Sequence, residues 1–255
     1  MFKKWMAIFK KDDLMDQAYN RSFLMLELTR EMFLKARESL RQREDNEIDV
    51  DIKGRDLEIN SYEREVRRNI FNHLVVTGPE KLPSGLGLVS IIIDIERIGD
   101  YTKNMVELAL AHLGKLHGGN FEKDISRLEK VVEDNFIQTK KCFEAGDKEL
   151  ALALLDKYSW VNQACDDCLE ALVKEEDKNI SAGDAVALSL YSRQLKRINS
   201  HLRNITTSVV NPFDRIGFNP KKHDKEIETR KIHKQQVNGQ MLESQVKINS
   251  ISRKK

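Results

Sequence analysis

Proline, glycine and cysteine are scarce in this 255-residue chain, with 4, 12 and 3 residues respectively. Folds made of many short strands need a turn signal about every 8–12 residues. No proline stands between Pro83 and Pro212, which excludes an all-β chain. Three cysteines, Cys142, Cys165 and Cys168, are an odd number and fit a reducing compartment better than a disulfide framework. Long apolar runs are also missing. The longest, Leu86 to Ile93, is interrupted by Gly87 and Ser90 and ended by Asp94, far short of the roughly 20 residues of a membrane span. Met1-Phe2-Lys3-Lys4 followed by Trp5 to Phe9 imitates the start of an export signal, but its apolar stretch is too short to be an export core. The reading is therefore a cytoplasmic protein whose basic-aromatic first segment touches the inner face of a membrane or packs on the fold. No G-x-x-x-x-G-K-S/T or G-x-G-x-x-G string occurs, so no nucleotide site is visible.

Charge is abundant and unevenly placed. Charged residues make up 33% of the chain against 40% apolar ones, a balance suited to long amphipathic helices. From Asn211 onward there are 11 lysines and arginines against 5 acids, and in the preceding part 32 against 36. A mildly acidic body thus carries a basic tail. The tail has few large apolar residues, so burial cannot offset its ordering entropy, and disorder is expected from Pro212 to Lys255. A solvated end is the plainest role for it. Contact with an anionic membrane or an acidic partner is the alternative, and nucleic acid is not expected as a partner.

Helical periodicity runs from Asp13 to Arg43, Asp49 to Val76, Ser84 to Leu113, Phe121 to Ala145, Lys148 to Glu176 and Ala182 to Val209. The breaks carry helix stop and start signals: Gly78-Pro79, Pro83 with Ser84 as N-cap, Gly118-Gly119-Asn120, Gly146-Asp147, and Asn211-Pro212. Short connections make successive helices antiparallel. A repeat appears at an offset of about a hundred residues: Glu96-Arg97-Ile98-Gly99-Asp100 with Asn104 lies over Lys196-Arg197-Ile198-Asn199-Ser200 with Asn204. The expected fold is all-α, two tandem antiparallel three-helix bundles, with a first segment at 1–12, bundles at 13–116 and 117–211, and a tail at 212–255. Ile59, Ile95, Ile98 and Met105 should pack in one bundle, and Val161, Ile198 and Ile205 in the other.

The chemistry-bearing pattern lies in the first half. Glu96 and Asp100 are four apart on one helix face, where like charges repel by a few tenths of a kcal/mol. Asp56, Asn60 and Glu63 form a stripe on the preceding helix, and an antiparallel hairpin brings the two stripes together with Asn104. A hard divalent or trivalent cation would relieve the repulsion, because such ions take several oxygen ligands. Gly99 fits a place where a neighbouring helix comes close. Taken alone, acids at this spacing are more often a solvated face.

The longer string, Asp94-Ile95-Glu96-Arg97-Ile98-Gly99-Asp100-Tyr101 with Asn104, and Asp56-x-x-Ile59-Asn60-x-x-Glu63 upstream, resembles the PhoU family of phosphate-uptake and phosphate-signalling regulators. The resemblance spans about Tyr19 to Val210. It implies tandem three-helix bundles, a non-enzymatic adaptor, and a metal site of Glu96, Asp100, Asp56, Glu63 and Asn60 holding iron, zinc, manganese or magnesium. It also implies a phosphate transporter or a membrane sensor kinase as partner, and it allows a homodimer. Where the second bundle should repeat the acids, the chain has Tyr158, Cys165, Lys196 and Ser200, so the metal is expected in the first bundle only. A partner of a sodium-coupled phosphate transporter is the alternative role. A ferritin-like carboxylate enzyme is disfavoured because the acid-bearing helices lack Glu-x-x-His.

Other signals are weaker. Cys165-Asp166-Asp167-Cys168 lacks a second ligand pair, so interior packing is the better reading. His73, His112, His117 and His201 stand singly and read as surface or satisfied core residues.

Overall fold

Helix ends follow local chemistry in this computed structural model, which describes residues 13–45, 47 and 51–220. Helix α1 covers Asp13–Gln42. Helix α2 covers Ile52–Thr77, opened by the Asp51 carboxylate accepting from the Gly54 N–H and closed at Gly78, whose φ of 84° suits glycine. Helix α3, Leu82–Ala111, starts two residues before the expected Ser84. Pro83 sits in its first turn, where a missing N–H costs nothing, and the Ser84 hydroxyl donates to the Lys81 carbonyl instead of capping. Helix α4, Glu122–Ala145, ends on left-handed Gly146, and Asp147 then caps α5 by accepting from the Leu150 N–H.

The expected fifth helix is two helices, α5 (Lys148–Lys157) and α6 (Val161–Val173). No glycine or proline marks the break. Side-chain anchors make it: the buried Tyr158 donates its hydroxyl to Asp134 on α4 at 2.7 Å, and Arg127 of α4 lies over the Trp160 ring at 4.1 Å. Arg203 donates to the Leu155 carbonyl at 2.7 Å, satisfying a backbone acceptor at the interruption. Helix α7, Ala182–Ser208, is capped by Ser181. Among the described residues there are seven α-helices, three short 3₁₀ turns and no strand.

Helices α1, α2 and α3 form one three-helix bundle, and α4, the α5–α6 pair and α7 form the second. Ile59, Ile95, Ile98 and Met105 are buried in the first, and Val161, Ile198 and Ile205 in the second. The bundles do not have separate interiors, because α3 packs along α7 and α1 along α4, so one hydrophobic core runs through both. Burying each large aliphatic or aromatic side chain there contributes about 1.5–3 kcal/mol. Helices α3 and α7 run antiparallel, with Asp94 meeting His201 and His112 meeting Asp184. Tyr101 and His201, equivalent by the hundred-residue offset, stack with ring centroids 5.5 Å apart, as a local twofold axis requires.

Asn211 to Gly217 stay with this unit: the Gly217 N–H donates to Thr207 at 2.8 Å, and Asn211 donates to the Arg215 carbonyl. The ordered chain thus runs past the Pro212 boundary expected for the tail. A second unit begins at Phe218, of which only residues 218–220 are described. The segment at 1–12 and the tail beyond Pro220 lie outside the described residues.

Candidate functional site

Gly99 sets the distance between the two stripes of the first bundle. A methyl group at that position would stand 3.1 Å from Ile59 Cδ1 and 3.6 Å from Thr29 Cγ2, so hydrogen lets α1, α2 and α3 approach closely. The acids of α2 and α3 then line the outer edge of this contact. Asp56, Asn60, Glu63, Glu96 and Asp100 are all half-buried, whereas Asn104 is exposed.

Lysine and arginine supply the compensation that the acid pairing demands. Lys103 Nζ lies 2.8 Å from Asp56 and 3.0 Å from Asp100, tying α2 to α3. Arg97 lies 3.0 Å from Asp100 and 3.7 Å from Glu96, and Arg67 lies 2.6 Å from Glu63. Asn60 donates to Asp56 at 3.4 Å. Desolvation works against the Lys103 ammonium, yet its hydrogen bonds to Asp56 and Asp100 outweigh that and hold its pKa above the ordinary lysine value. Glu96 is raised above the usual carboxylate value, first by burial, then by the neighbouring Asp100 charge and also by Glu63, with Arg97 opposing. Four carboxylates face three cations, so the face keeps an acidic excess.

All four carboxylates and the Asn60 carbonyl are hard oxygen donors of the kind magnesium, manganese and iron accept. Glu63 and Asp100 both act electrostatically on Glu96. Among the described residues, however, no group of three or more histidine, cysteine, aspartate or glutamate side chains is gathered closely enough to hold an ion as it stands. Lys103 bridges Asp56 and Asp100, so an ion using both carboxylates has to displace its ammonium.

The second bundle has a neutral network at the matching place. Asn199, at the position of Gly99, is fully buried and donates to Asn162 at 2.9 Å. Asn135 of α4 donates to Asn199 at 2.9 Å, Thr139 donates to Asn135 at 3.0 Å, and Thr139 meets Thr206 at 3.2 Å. Asn162, which matches Asn60, donates to Ser200 at 2.9 Å. Lys196 stands where Glu96 does and forms an ion pair with both oxygens of Asp166 at 2.6 Å. Cys165 and Cys168 are buried free thiols, and burial pushes the Cys165 thiol up to about 12. Such thiols are poor nucleophiles and poor ligands.

Sequence reasoning overlooked the polar groups that join the bundles. The His201 ring meets Asp94 at 2.7 Å, Asn204 donates to the same Asp94 oxygen at 2.9 Å, and His112 meets Asp184 at 3.0 Å. Arg41 of α1 is buried and donates to Glu129 at 2.8 Å, to Glu122 and to the Leu116 carbonyl, while Tyr191 donates to Glu129 at 2.9 Å. His73 departs from its expected state, since it is buried and neither ring nitrogen has a hydrogen-bond partner among the described residues. His117 is exposed as expected. The Asp94 to His201 spacing of 107 residues offers no local motif, whereas the Asn199–Asn204 frame within the repeat was a readable signal.

Among the described residues no helix is long and apolar enough to cross a membrane. No curated protein matches the sequence. The architecture does match solved structures. PhoU from Pseudomonas aeruginosa superposes with a TM-score of 0.67 at 21% identity, over 78% of this chain and 96% of that one. The phosphate transport system regulatory protein PhoU from Streptococcus pneumoniae superposes with a TM-score of 0.63 at 17% identity, over 79% of this chain and 93% of that one. At these identities the likeness establishes the fold. The family described as PhoU domain matches the sequence twice, over residues 24–109 and 125–209. These stretches coincide with the two bundles and cover most of the chain: it belongs to the PhoU domain family.

Proposed function

We propose that this chain is a non-enzymatic regulatory adaptor of phosphate transport and phosphate-responsive signalling. The observation that carries this reading is the pair of PhoU domain matches, one on each bundle. An adaptor acts through its surfaces, and the acid-rich face of α2 and α3 is the surface whose chemistry the second bundle does not repeat. In this reading a phosphate transporter or a membrane sensor kinase docks on the helical surfaces. The protein works in the cytoplasm at the inner face of the membrane, as a monomer or a homodimer.

Metal binding is part of the proposal. Glu96, Asp100, Asp56 and Glu63, with the Asn60 carbonyl, would hold one hard divalent or trivalent cation in the first bundle. Such an ion would present positive charge to a phosphate group or to a partner carboxylate. What the chain itself contributes is a displaceable cation: Lys103 bridges Asp56 and Asp100, and its ammonium would have to leave them for an ion to use both carboxylates. The regulatory reading is tested by deleting the gene in its own host and measuring radioactive phosphate uptake under replete and starved conditions. Uptake that no longer responds to phosphate supply supports it. Uptake and its response unchanged under both conditions overturn it. The same assay in strains lacking either an ATP-driven importer or a sodium-coupled carrier identifies which transporter is regulated.

A further inference from the structure

At its closed end the α2–α3 hairpin carries apolar residues that the bundle leaves uncovered. A methyl group at Gly85 would stand 3.0 Å from Leu74 Cδ1 and 3.1 Å from Ile70 Cγ2, so the last turns of α2 press on the first turn of α3. On two antiparallel helices the residue that follows each contact residue turns to the same flank. Phe71, Val75 and Leu86 therefore share one flank, and Leu82 joins them one turn before Leu86. Phe71 and Val75 are 67% and 69% exposed, and Leu82 and Leu86 are 41% and 39% exposed. A contiguous exposed apolar patch of this kind marks a contact surface. Arg64 and Arg68 extend the Phe71–Val75 stripe along α2 at i, i+4, i+7 and i+11, and both are exposed. Among the described residues neither takes part in an ion pair, while Glu63 beside them is taken by Arg67 at 2.6 Å. Glu80 and Lys81 at the tip of the hairpin offset each other.

The second bundle is the internal control. By the offset that matches Asn162 to Asn60, Asp166 and Glu170 stand where Arg64 and Arg68 do, and Val173 stands where Phe71 does. The apolar character is thus kept in part, while the charge beside it is inverted. Apolar anchors with unpaired arginines behind them are the chemistry of a surface that rests on anionic lipid, the arginines reaching the headgroups while the apolar side chains enter the boundary with the acyl chains. The acid face around Gly99 lies about 20 Å along α3 from Gly85, roughly two Debye lengths away at physiological salt, so its repulsion from such a surface is screened. We infer that the closed end of the α2–α3 hairpin docks on an anionic membrane surface through Phe71, Val75, Leu82 and Leu86, with Arg64 and Arg68 on the headgroups. This rests on the placement at the inner face of the membrane proposed above and names the surface that achieves it. Lipid binding needs no transporter, so its failure is distinguishable from a failure of the phosphate-uptake assay.

Co-sedimentation of the full chain with phosphatidylcholine vesicles, with and without phosphatidylglycerol, tests this. The wild type should partition onto the vesicles that contain phosphatidylglycerol and should release from them as salt is raised. Arg64→Ala/Arg68→Ala should weaken the partition by about fivefold for each arginine. Phe71→Ser/Leu86→Ser should weaken it by about tenfold or more, because less apolar area leaves water. All four side chains are exposed, so both variants should keep the melting temperature of the wild type. Wild type that does not bind, or that binds equally well without phosphatidylglycerol, overturns the inference. Binding that both variants retain in full assigns the lipid contact to the basic segments at the ends of the chain, and it overturns the inference as well.

Discussion

At the middle of its helix hairpin the first bundle carries Asp56, Glu63, Glu96 and Asp100, while the second carries Tyr158, Cys165, Lys196 and Ser200 at the corresponding places. The buried layer beneath is apolar in both, with Ile59, Ile95 and Ile98 answered by Val161, Leu195 and Ile198. Packing has therefore been kept while the polar chemistry diverged. In the first bundle glycine closes the helix contact, and charge is displaced to a half-buried edge where Lys103 and Arg97 offset part of it. In the second, Asn199 takes the glycine's position, and neutral amides and hydroxyls satisfy one another inside. A charged edge can exchange its cation, whereas a closed amide network has nothing to exchange.

The comparison breaks most severely at the seam the bundles share. Arg41→Met leaves Glu129 buried beside Tyr191 without its cation, and we expect a loss of about 3–5 kcal/mol in denaturant unfolding. The same variant should change the acid limb of stability. For Glu122, desolvation is outweighed by hydrogen bonds from Arg41 and the Gly118 N–H, which hold its pKa below the ordinary value. A depressed carboxylate gives stability that is present above the unfolded pKa and is lost as pH falls through the folded one. The slope of stability below about pH 4.5 should therefore flatten in Arg41→Met, because the arginine contribution to that depression is gone. An unchanged slope would assign the depression to the Gly118 N–H and the Ser126 hydroxyl.

Exchanging the residues at the repeat midpoint tests whether each bundle has committed to its own chemistry. Asn199→Gly strips partners from Asn135 and Asn162 and leaves space, for an expected cost of about 2–3 kcal/mol. The reciprocal Gly99→Asn forces a side chain against Ile59 and Thr29 and should cost about 1–3 kcal/mol by overpacking. Chemical denaturation of both variants measures the two costs. If either exchange is neutral, the bundles are more alike inside than the structure implies.

The smallest effect is expected at the acid face itself. Glu96 has a raised pKa, so its contribution is fully present below the unfolded value and is lost as pH rises through the folded one. Glu96→Gln should therefore be unchanged at low pH and slightly more stable than the parent above about pH 5, by a few tenths of a kcal/mol for a partly solvated like-charge pair. Melting temperatures across that range check the sign. A variant less stable at neutral pH would show that Glu96 is held by attraction to Arg97 more than it is repelled by Asp100.

The fold was legible because apolar residues recur at helical spacing and glycine or proline marks nearly every chain reversal. The unexpected break between α5 and α6 lacks both signals: it is imposed by Tyr158 and Trp160 reaching across to α4, a tertiary effect that periodicity does not record. The five candidate residues stand out in the sequence through their spacing on two helices. Lys103 was not, because a lysine among acids reads as one more solvated charge until the hairpin fixes which carboxylates it reaches. The absence of a matching acid set in the second bundle was readable, but its replacement by a three-helix amide network was not, since Asn135 lies outside the repeated string.

The claim that the first bundle alone carries a cation-exchanging face is tested by metal titration of the purified protein with manganese and magnesium, followed by elemental analysis, on wild type, Glu96→Ala/Asp100→Ala and Lys103→Met. The account predicts one bound ion per chain in wild type and tighter binding once the competing ammonium is removed in Lys103→Met. It predicts none in Glu96→Ala/Asp100→Ala, whose melting temperature should stay near that of wild type because a like-charge pair has been lost. Equal metal content in wild type and the double variant, or binding weakened by Lys103→Met, would contradict it.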